Sequence, residues 1–376
     1  MMARTLGAPD LYVQGPGEMG GLADHILRLG ATVLVVAEEQ TAGVIRGSLE
    51  QAFSGSGSAI EYEQVSGMCT ELEIERLGAI ANACHYDVIL GAGGGRALDT
   101  ARAVAADCHL PLMTVPTTAA SGAACSSVSV ITDKNGRFRE VREYAVHPAT
   151  VVVDSTFIAK ESLRSLVAGM GNMIAAWLGA RSHQQSDVPN LMGGKGMLSS
   201  RALAQLGYDT VLSDGVRSLV SAQNGMPTPA FEHVLEANIF CSGIAFDNGG
   251  MTAAGSIANA LTLLPKARRF YSGELAAFGS IVQLILEDAP RSEMDDIMNL
   301  FLSTGLPMTL DDLGLGDASR ASLEKVATAA CSPDNFMSAM PFDVSPDDVL
   351  GCMLAASVTG HLYQEEGHAE HERAGD

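Results

Sequence analysis

The sequence predicts an α/β domain over residues 1–157 followed by an all-helical domain over residues 158–376. Three observations carry that reading. Short β-branched runs alternate with helical periodicity as far as Asp154, the order that builds a parallel sheet with helices on both faces. One run ends in consecutive glycines and opens directly into a helix. Beyond Asp154 strand signals almost vanish and long helical segments take over.

The elements follow in order. "TVLVVAEE" from Thr32 reads as a strand, "TAGVIRGSLEQAF" as a helix, "AIEYEQVS" as a strand and "ELEIERLGAIANAC" as a helix. Then come the strand "YDVILGAGGG", the helix "ALDTARAVAAD" and the strand "PLMTVPTT". "SSVSVITD" and "REVREYAV" flank the turn "DKNG", which predicts a hairpin inserted before the last strand, "TVVVDS". A boundary is placed near Phe157 and Ile158. The helical half is read as segments over Glu161–Gln185, Lys195–Ala222, Ala230–Leu264 and Asp347–Glu366, with "QEEGHAEHERAGD" a frayed tail in which His368 and His371 are weak metal candidates.

Composition excludes several functions. With 47% hydrophobic and 18% charged residues in a chain of 376, the protein reads as a soluble globular enzyme. A net charge of −21 argues against nucleic acid, which needs a clustered basic face. The N-terminus lacks a signal-peptide apolar core and no stretch is long enough to span a bilayer, so neither membrane nor export is expected. Seven scattered cysteines without a CxxC pair read as reduced thiols in a cytoplasmic protein. The expected partners are a small-molecule substrate and further copies of the chain, as a homo-oligomer.

"GAGGGRALDT" puts glycines between a strand and a helix N-terminus, where backbone N–H groups can receive a pyrophosphate. It departs from GxGxxG, because Arg96 stands at the third glycine. Glu38, at the end of the first strong strand, is placed to accept hydrogen bonds from an adenosine ribose and to repel a 2′-phosphate, which favours NAD over NADP.

Beyond this turn, a series of blocks resembles the glycerol dehydrogenase branch of the iron-containing alcohol dehydrogenase and dehydroquinate synthase-like superfamily. They are "GAGGGRALDTARAV", "VPTTAASGAACSSVSVIT", "ATVVVDSTFIA", "LVAGMGNMIAAWLGAR", "GGKG", "TPAFEHVLEANIFCSGIAFDNGG" and "YSGELAAFG", in order along nearly the whole chain. The resemblance implies a dehydroquinate synthase-like fold with its active site in the cleft between the domains. It implies that Gly94, Gly95 and Asp99 line the pyrophosphate and nicotinamide ribose, and that Thr117, Thr118, Ser126 and Val128 follow the cofactor toward the nicotinamide. Arg96 replaces a common lysine. Cys125, in the same block, is expected to be a small buried thiol.

The same resemblance implies a divalent metal held by one aspartate and two histidines, and here the pattern breaks. Asn172 in "GMGNM" stands at the aspartate, Gly255 in "TAAGSIANAL" at the first histidine, and Ser272 in "FYSGE" at the last; Ala258 replaces a further histidine that helps the chemistry, and Gly122 a substrate-contacting aspartate. An amide, a hydroxyl and a bare Cα do not make a zinc site. A distant residue such as His147 or Asp247 could supply one ligand, but not a complete set. The expectation is a metal-independent, NAD-dependent oxidoreductase acting on an alcohol, carbonyl or imine. Asn172, Tyr271, Ser272 and Asn259 are the candidate catalytic groups, with Arg268 or Arg269 as longer-range charge. A C=N substrate suits such a site, since an iminium carries its own positive charge. The alternatives are a lyase, isomerase or cyclase with transient redox, and a non-catalytic NAD-binding scaffold.

Overall fold

The computed structural model describes residues 2–54 and 59–375. Eight strands run β1 Tyr12–Gly15, β2 Thr32–Ala37, β3 Ala59–Gln64, β4 Val88–Gly93, β5 Leu112–Pro116, β6 Val128–Thr132, β7 Phe138–Glu143 and β8 Thr150–Asp154. The helices of this half are α1 Leu22–Ile26, α2 Glu39–Phe53, α3 Glu71–Cys84 and α4 Gly95–Asp107. After β8 every element is helical: α5 Ser155–Ile158, α6 Leu163–His183, α7 Leu198–Gln223, α8 Pro229–Glu236, α9 Ser242–Gly249 and α10 Ala253–Leu261. The chain continues through α11 Ser272–Leu286, α12 Arg291–Thr304, α13 Arg320–Ala330 and α14 Pro346–Gly375.

Six strands form one parallel sheet in the order β1-β8-β5-β4-β2-β3. Apolar side chains alternate to its two faces. Val33 and Val35 of β2 pack with Ile45 and Leu49 of α2, whereas Leu34 and Val36 pack with Ile74 and Leu77 of α3 and Ala101 and Val104 of α4. Two neighbouring strands, β2 and β4, therefore send their following helices to opposite faces. Such a switch in direction opens a crevice beyond the strands' carboxyl ends, where ligands bind in open α/β sheets. Ala37 lies beside Ala92 in register, so Glu38 and Gly93 emerge together at this crevice.

The predicted hairpin is present as the antiparallel pair β6–β7, turning at Gly136 with φ +78. It reaches the helical half, where the Phe138 N–H donates to Thr262 Oγ1 at 3.0 Å. The largest core spans both halves: Val151 and Val153 of β8 join Met170, Phe231, Ile257 and Phe278.

Two expectations need correction, and one strand was not anticipated. The segment read as one helix over Ala230–Leu264 is α8, a π-helical turn Ala237–Cys241, α9 and α10. It breaks at Gly250, whose φ of +88 favours glycine and whose Cα lies against the His183 ring. The tail read as frayed continues helix α14 to Gly375; the side chains of His368 and His371 lie outside the described residues. The strand β1, which carries no strong sequence signal, forms by pairing along β8. Among the described residues no helix is long and apolar enough to cross a membrane.

Candidate active site

The site is built from one turn, one loop and two helices. β4 delivers its glycines to the crevice because nothing larger fits there. Gly93 has φ +144, and a Cβ on it would sit 2.9 Å from that of Ala97. Gly94 caps α4 without a side-chain hydrogen bond, leaving the first-turn N–H groups of a 13-residue helix without side-chain acceptors. A Cβ on Gly95 would lie 3.3 Å from Ser121 Oγ and 3.6 Å from the Ala123 Cβ, and one on Gly94 3.9 Å from Thr118 Oγ1. The two glycines thus leave a groove between the turn and the loop Thr117–Ser127. Glu38 stands at its edge, its Cγ 3.8 Å from a Cβ position on Gly93. Arg96 is exposed beside the helix N-terminus. These residues suit a dinucleotide: amides for pyrophosphate, a cation beside them and a carboxylate for ribose.

The loop is clamped from both sides. From α4, the Arg102 guanidinium donates to the Val128 carbonyl at 2.8 Å and to that of Ala123, and pairs with Asp99 at 2.8 Å. From α9, Asp247 accepts from Ser126 Oγ and from the Ser127 N–H, each at 2.6 Å, while His147 Nε2 lies 3.0 Å from its second oxygen. Thr114 Oγ1 holds the Ala124 carbonyl at 2.8 Å. Gly122 packs on Gly243 so closely that a Cβ there would overlap that residue's backbone.

This geometry changes several assignments. Ser126 donates its hydroxyl to Asp247 and accepts from the Val128 N–H, so both residues also hold the loop in shape. Asp99 is turned inward, accepting from Arg102 and from the Val130 N–H at 3.2 Å; burial pushes its carboxyl up to about 6. Thr117 is buried and Thr118 half-buried at the groove. Cys125 is fully buried, and desolvation raises its thiol well above the ordinary value. His147 Nε2 lies close to Asp247 without the geometry of a hydrogen bond. Arg102 had a local signal, one turn after Asp99 on the same helix; Asp247 had none, because its partners lie some 120 residues away.

Across the loop, α6 and the start of α11 meet with almost no space between backbones. A Cβ on Gly171 would overlap the Gly273 carbonyl, and one on Gly273 that of Ala168. This contact brings Asn172 and Ser272 together: Asn172 Nδ2 donates to Ser272 Oγ at 3.1 Å and to the Ala120 carbonyl at 2.8 Å. Ala120 and Ser121 are neighbours, so a single loop separates the glycine turn from this pair. On α10, Gly255 is covered by Met251, whose methyl carbon a Cβ on Gly255 would overlap. Ala258 is buried.

The other catalytic candidates have partners of their own. Asn259 donates to Asn335 Oδ1 at 3.3 Å, and Asn335 in turn holds the Ser256 carbonyl. The Tyr271 ring lies under Arg164, 5.3 Å from its guanidinium carbon, which is paired with Glu274. Arg268 caps carbonyls of Thr262 and Leu263, and Arg269 stacks on Phe270. A groove of about 590 Å³ lined by Arg164, Arg269 and Phe270 adjoins the start of α11. Among the described residues no three His, Cys, Asp or Glu side chains gather as a metal-binding group.

Comparison with known proteins places this geometry. The iron-containing alcohol dehydrogenase family model matches residues 9–155. Glycerol dehydrogenase of Escherichia coli O6:H1 is 36% identical over 97% of this chain and 100% of its own. Glycolaldehyde reductase of Halobacterium salinarum is 33% identical over 97% of this chain and 100% of its own. The crystal structure of glycerol dehydrogenase from Schizosaccharomyces pombe superposes with a TM-score of 0.93 at 28% identity, covering 98% of this chain and 94% of that one. End-to-end likeness of sequence and fold, together with the glycine crevice, shows that the chain belongs to the iron-containing alcohol dehydrogenase family, alongside the glycerol dehydrogenases.

Proposed function

We propose that the protein is an NAD(H)-dependent oxidoreductase that acts without a bound metal on a small alcohol, carbonyl or imine. The observation that carries the reading is the Asn172–Ser272 hydrogen bond, one loop away from the glycine turn. In the family resemblance, both positions belong to metal ligands. Here an amide donor and a hydroxyl bond to each other, and Met251 covers Gly255 at the third position. That donor set does not suit zinc or iron, which take thiolate, imidazole or carboxylate ligands.

When bound, the nicotinamide cofactor gives or takes the hydride. The chain's own residues do the rest. Gly94, Gly95 and the first turn of α4 receive the pyrophosphate, Glu38 the adenosine ribose, and the clamped loop keeps these groups fixed relative to Asn172 and Ser272. A rigid, already ordered polar site loses no energy to reorganisation as charge develops on the substrate.

The test is elemental analysis of purified protein combined with NADH oxidation on glycolaldehyde, dihydroxyacetone and 2-methyl-1-pyrroline, with and without EDTA. Turnover in metal-free protein that EDTA leaves unchanged is the expected result. Stoichiometric zinc or iron in active protein, or activity abolished by EDTA, would overturn the metal-free reading. Net NADH consumption separates an oxidoreductase from an enzyme that regenerates its cofactor within each cycle.

A further inference from the structure

We infer that Ser272 is the hydrogen-bond and proton donor to the substrate's oxygen or nitrogen, and that Asn172 is the positioning residue that fixes the direction of its proton. The inference rests on the reading of the cleft as an NAD(H)-dependent site and assigns the polarity of its central pair.

The polarity follows from chemistry that leaves one arrangement. The Ala120 carbonyl can only accept, so the Asn172 atom 2.8 Å away is its nitrogen. That nitrogen also faces Ser272 Oγ at 3.1 Å. Its two protons are therefore committed, one to each oxygen. Ser272 Oγ must accept, and its own single proton is left for something else. Nothing in the protein takes it: Ser272 makes no further side-chain hydrogen bond among the described residues, and it is exposed.

Location adds to this. Ser272 is the first residue of the 15-residue helix α11. The positive end of that helix favours negative charge developing beside the hydroxyl. The helix start is itself fixed, because Glu274 accepts from the Tyr271 N–H at 2.7 Å and pairs with Arg164. Backbone contact between Gly171 and Gly273 leaves the pair no room to slide. In the reducing direction the substrate carbon gains the hydride and the C=O or C=N π pair moves onto the heteroatom. The heteroatom takes the proton of Ser272 Oγ, which recovers one from water in the open cleft. Oxidation reverses each transfer.

An aspartate at 172 would invert the pair. A carboxylate cannot donate, so Ser272 would turn its proton inward to Asp and away from substrate, and the new charge would face the Ala120 carbonyl. Asn172→Asp thus separates this inference from the idea that the position merely awaits its metal ligand.

Two measurements test it. A neutron structure of the deuterated protein should show deuterons of Asn172 Nδ2 toward Ala120 and Ser272, and the Ser272 deuteron pointing into the cleft; a Ser272 deuteron aimed at Asn172 would overturn the inference whatever the activity. In steady-state kinetics with the three probes above, Ser272→Ala should lower kcat at least about 100-fold, the usual cost of one such donor. NADH affinity by calorimetry should be unchanged, and Ser272→Thr, which keeps the hydroxyl, should recover most of the rate. Asn172→Asp should be as slow as Ser272→Ala and take up no zinc. Wild-type kcat in Ser272→Ala, or zinc-dependent activity in Asn172→Asp, would defeat the assignment while leaving NAD(H) dependence standing. Absence of NADH binding in the wild type would instead defeat the reading on which it rests.

Discussion

The glycine turn at the end of β4 and the α6–α10–α11 face opposite it are separated by a single loop, yet one is made of backbone and the other of side chains. The turn is built from backbone: amides of a helix N-terminus with no side-chain cap, glycines where a Cβ would intrude, and a loop held by buried Arg102 and Asp247. The opposite face is built from side chains, and at Asn172, Gly255 and Ser272 they are not those of a metal site. A backbone site survives most substitutions because only the shape of the chain matters. A side-chain site depends on the residue type at each position, and at Gly255 the nearest group is the Met251 side chain, whose methyl carbon lies where a Cβ would be.

The largest expected effect tests the loop where it packs on the helical half. Gly122→Asp would drive a Cβ into the Gly243 backbone, where neither chain can yield without shifting the loop against α9. It should destabilise the protein by at least about 4 kcal/mol, the scale of severe overpacking, and restore no glycerol oxidation. Thermal melting reads the loss; a variant as stable as wild type would mean the Gly122–Gly243 contact is looser than described. Next comes the backbone site. Gly95→Val should weaken NAD binding at least about 100-fold, or about 3 kcal/mol, by filling the groove beside Ser121, with little change in melting temperature. Unchanged calorimetric affinity would move the nucleotide elsewhere.

A smaller effect sharpens the one side-chain contribution on the turn's side. Glu38→Ser removes the carboxylate that stands beside the crevice, and should shift the NADPH-to-NADH affinity ratio at least about tenfold toward NADPH. A ratio that stays put would take Glu38 out of the ribose site. The smallest expected effect concerns Asp99. Burial holds its carboxyl up at about 6, above the range of an unfolded chain, so the folded protein binds this proton more tightly. The contribution of this group to stability is fully present below about pH 4 and is lost as pH rises through about 6. Denaturant titrations should show that slope in wild type relative to Asp99→Asn, superimposed on the opposite slope of carboxylates such as Glu73, held low by Arg76. Parallel curves would show that Arg102 fully offsets the burial.

Much of the fold was legible because its signals are local. The α3 run "ELEIERLGAIANAC" coincides with its helix, and the "DKNG" turn with its hairpin. The glycine turn was legible for the same reason, since strand, glycines and helix follow one another. The break of α9 from α10 was not, because the segment is helical in composition throughout and Gly250 bends only where α6 presses on it through His183. Tyr271 and Asn259 sit at suggestive positions, but their directions depend on Arg164 and Asn335, distant in the chain.

By itself, the sequence determined the strand–helix alternation, the glycine turn between β4 and α4 and the side-chain chemistry available at positions 172, 255 and 272, because each depends on residue type and near-neighbour order. Only the tertiary structure decided that Asn172 meets Ser272, that Asp247 grips the loop Thr117–Ser127 and that Met251 lies over Gly255. The first two are contacts between elements far apart in sequence. Whether a hydroxyl donates into a cleft or is spent on a neighbour depends on which acceptors the packed chain brings within about 3 Å of it.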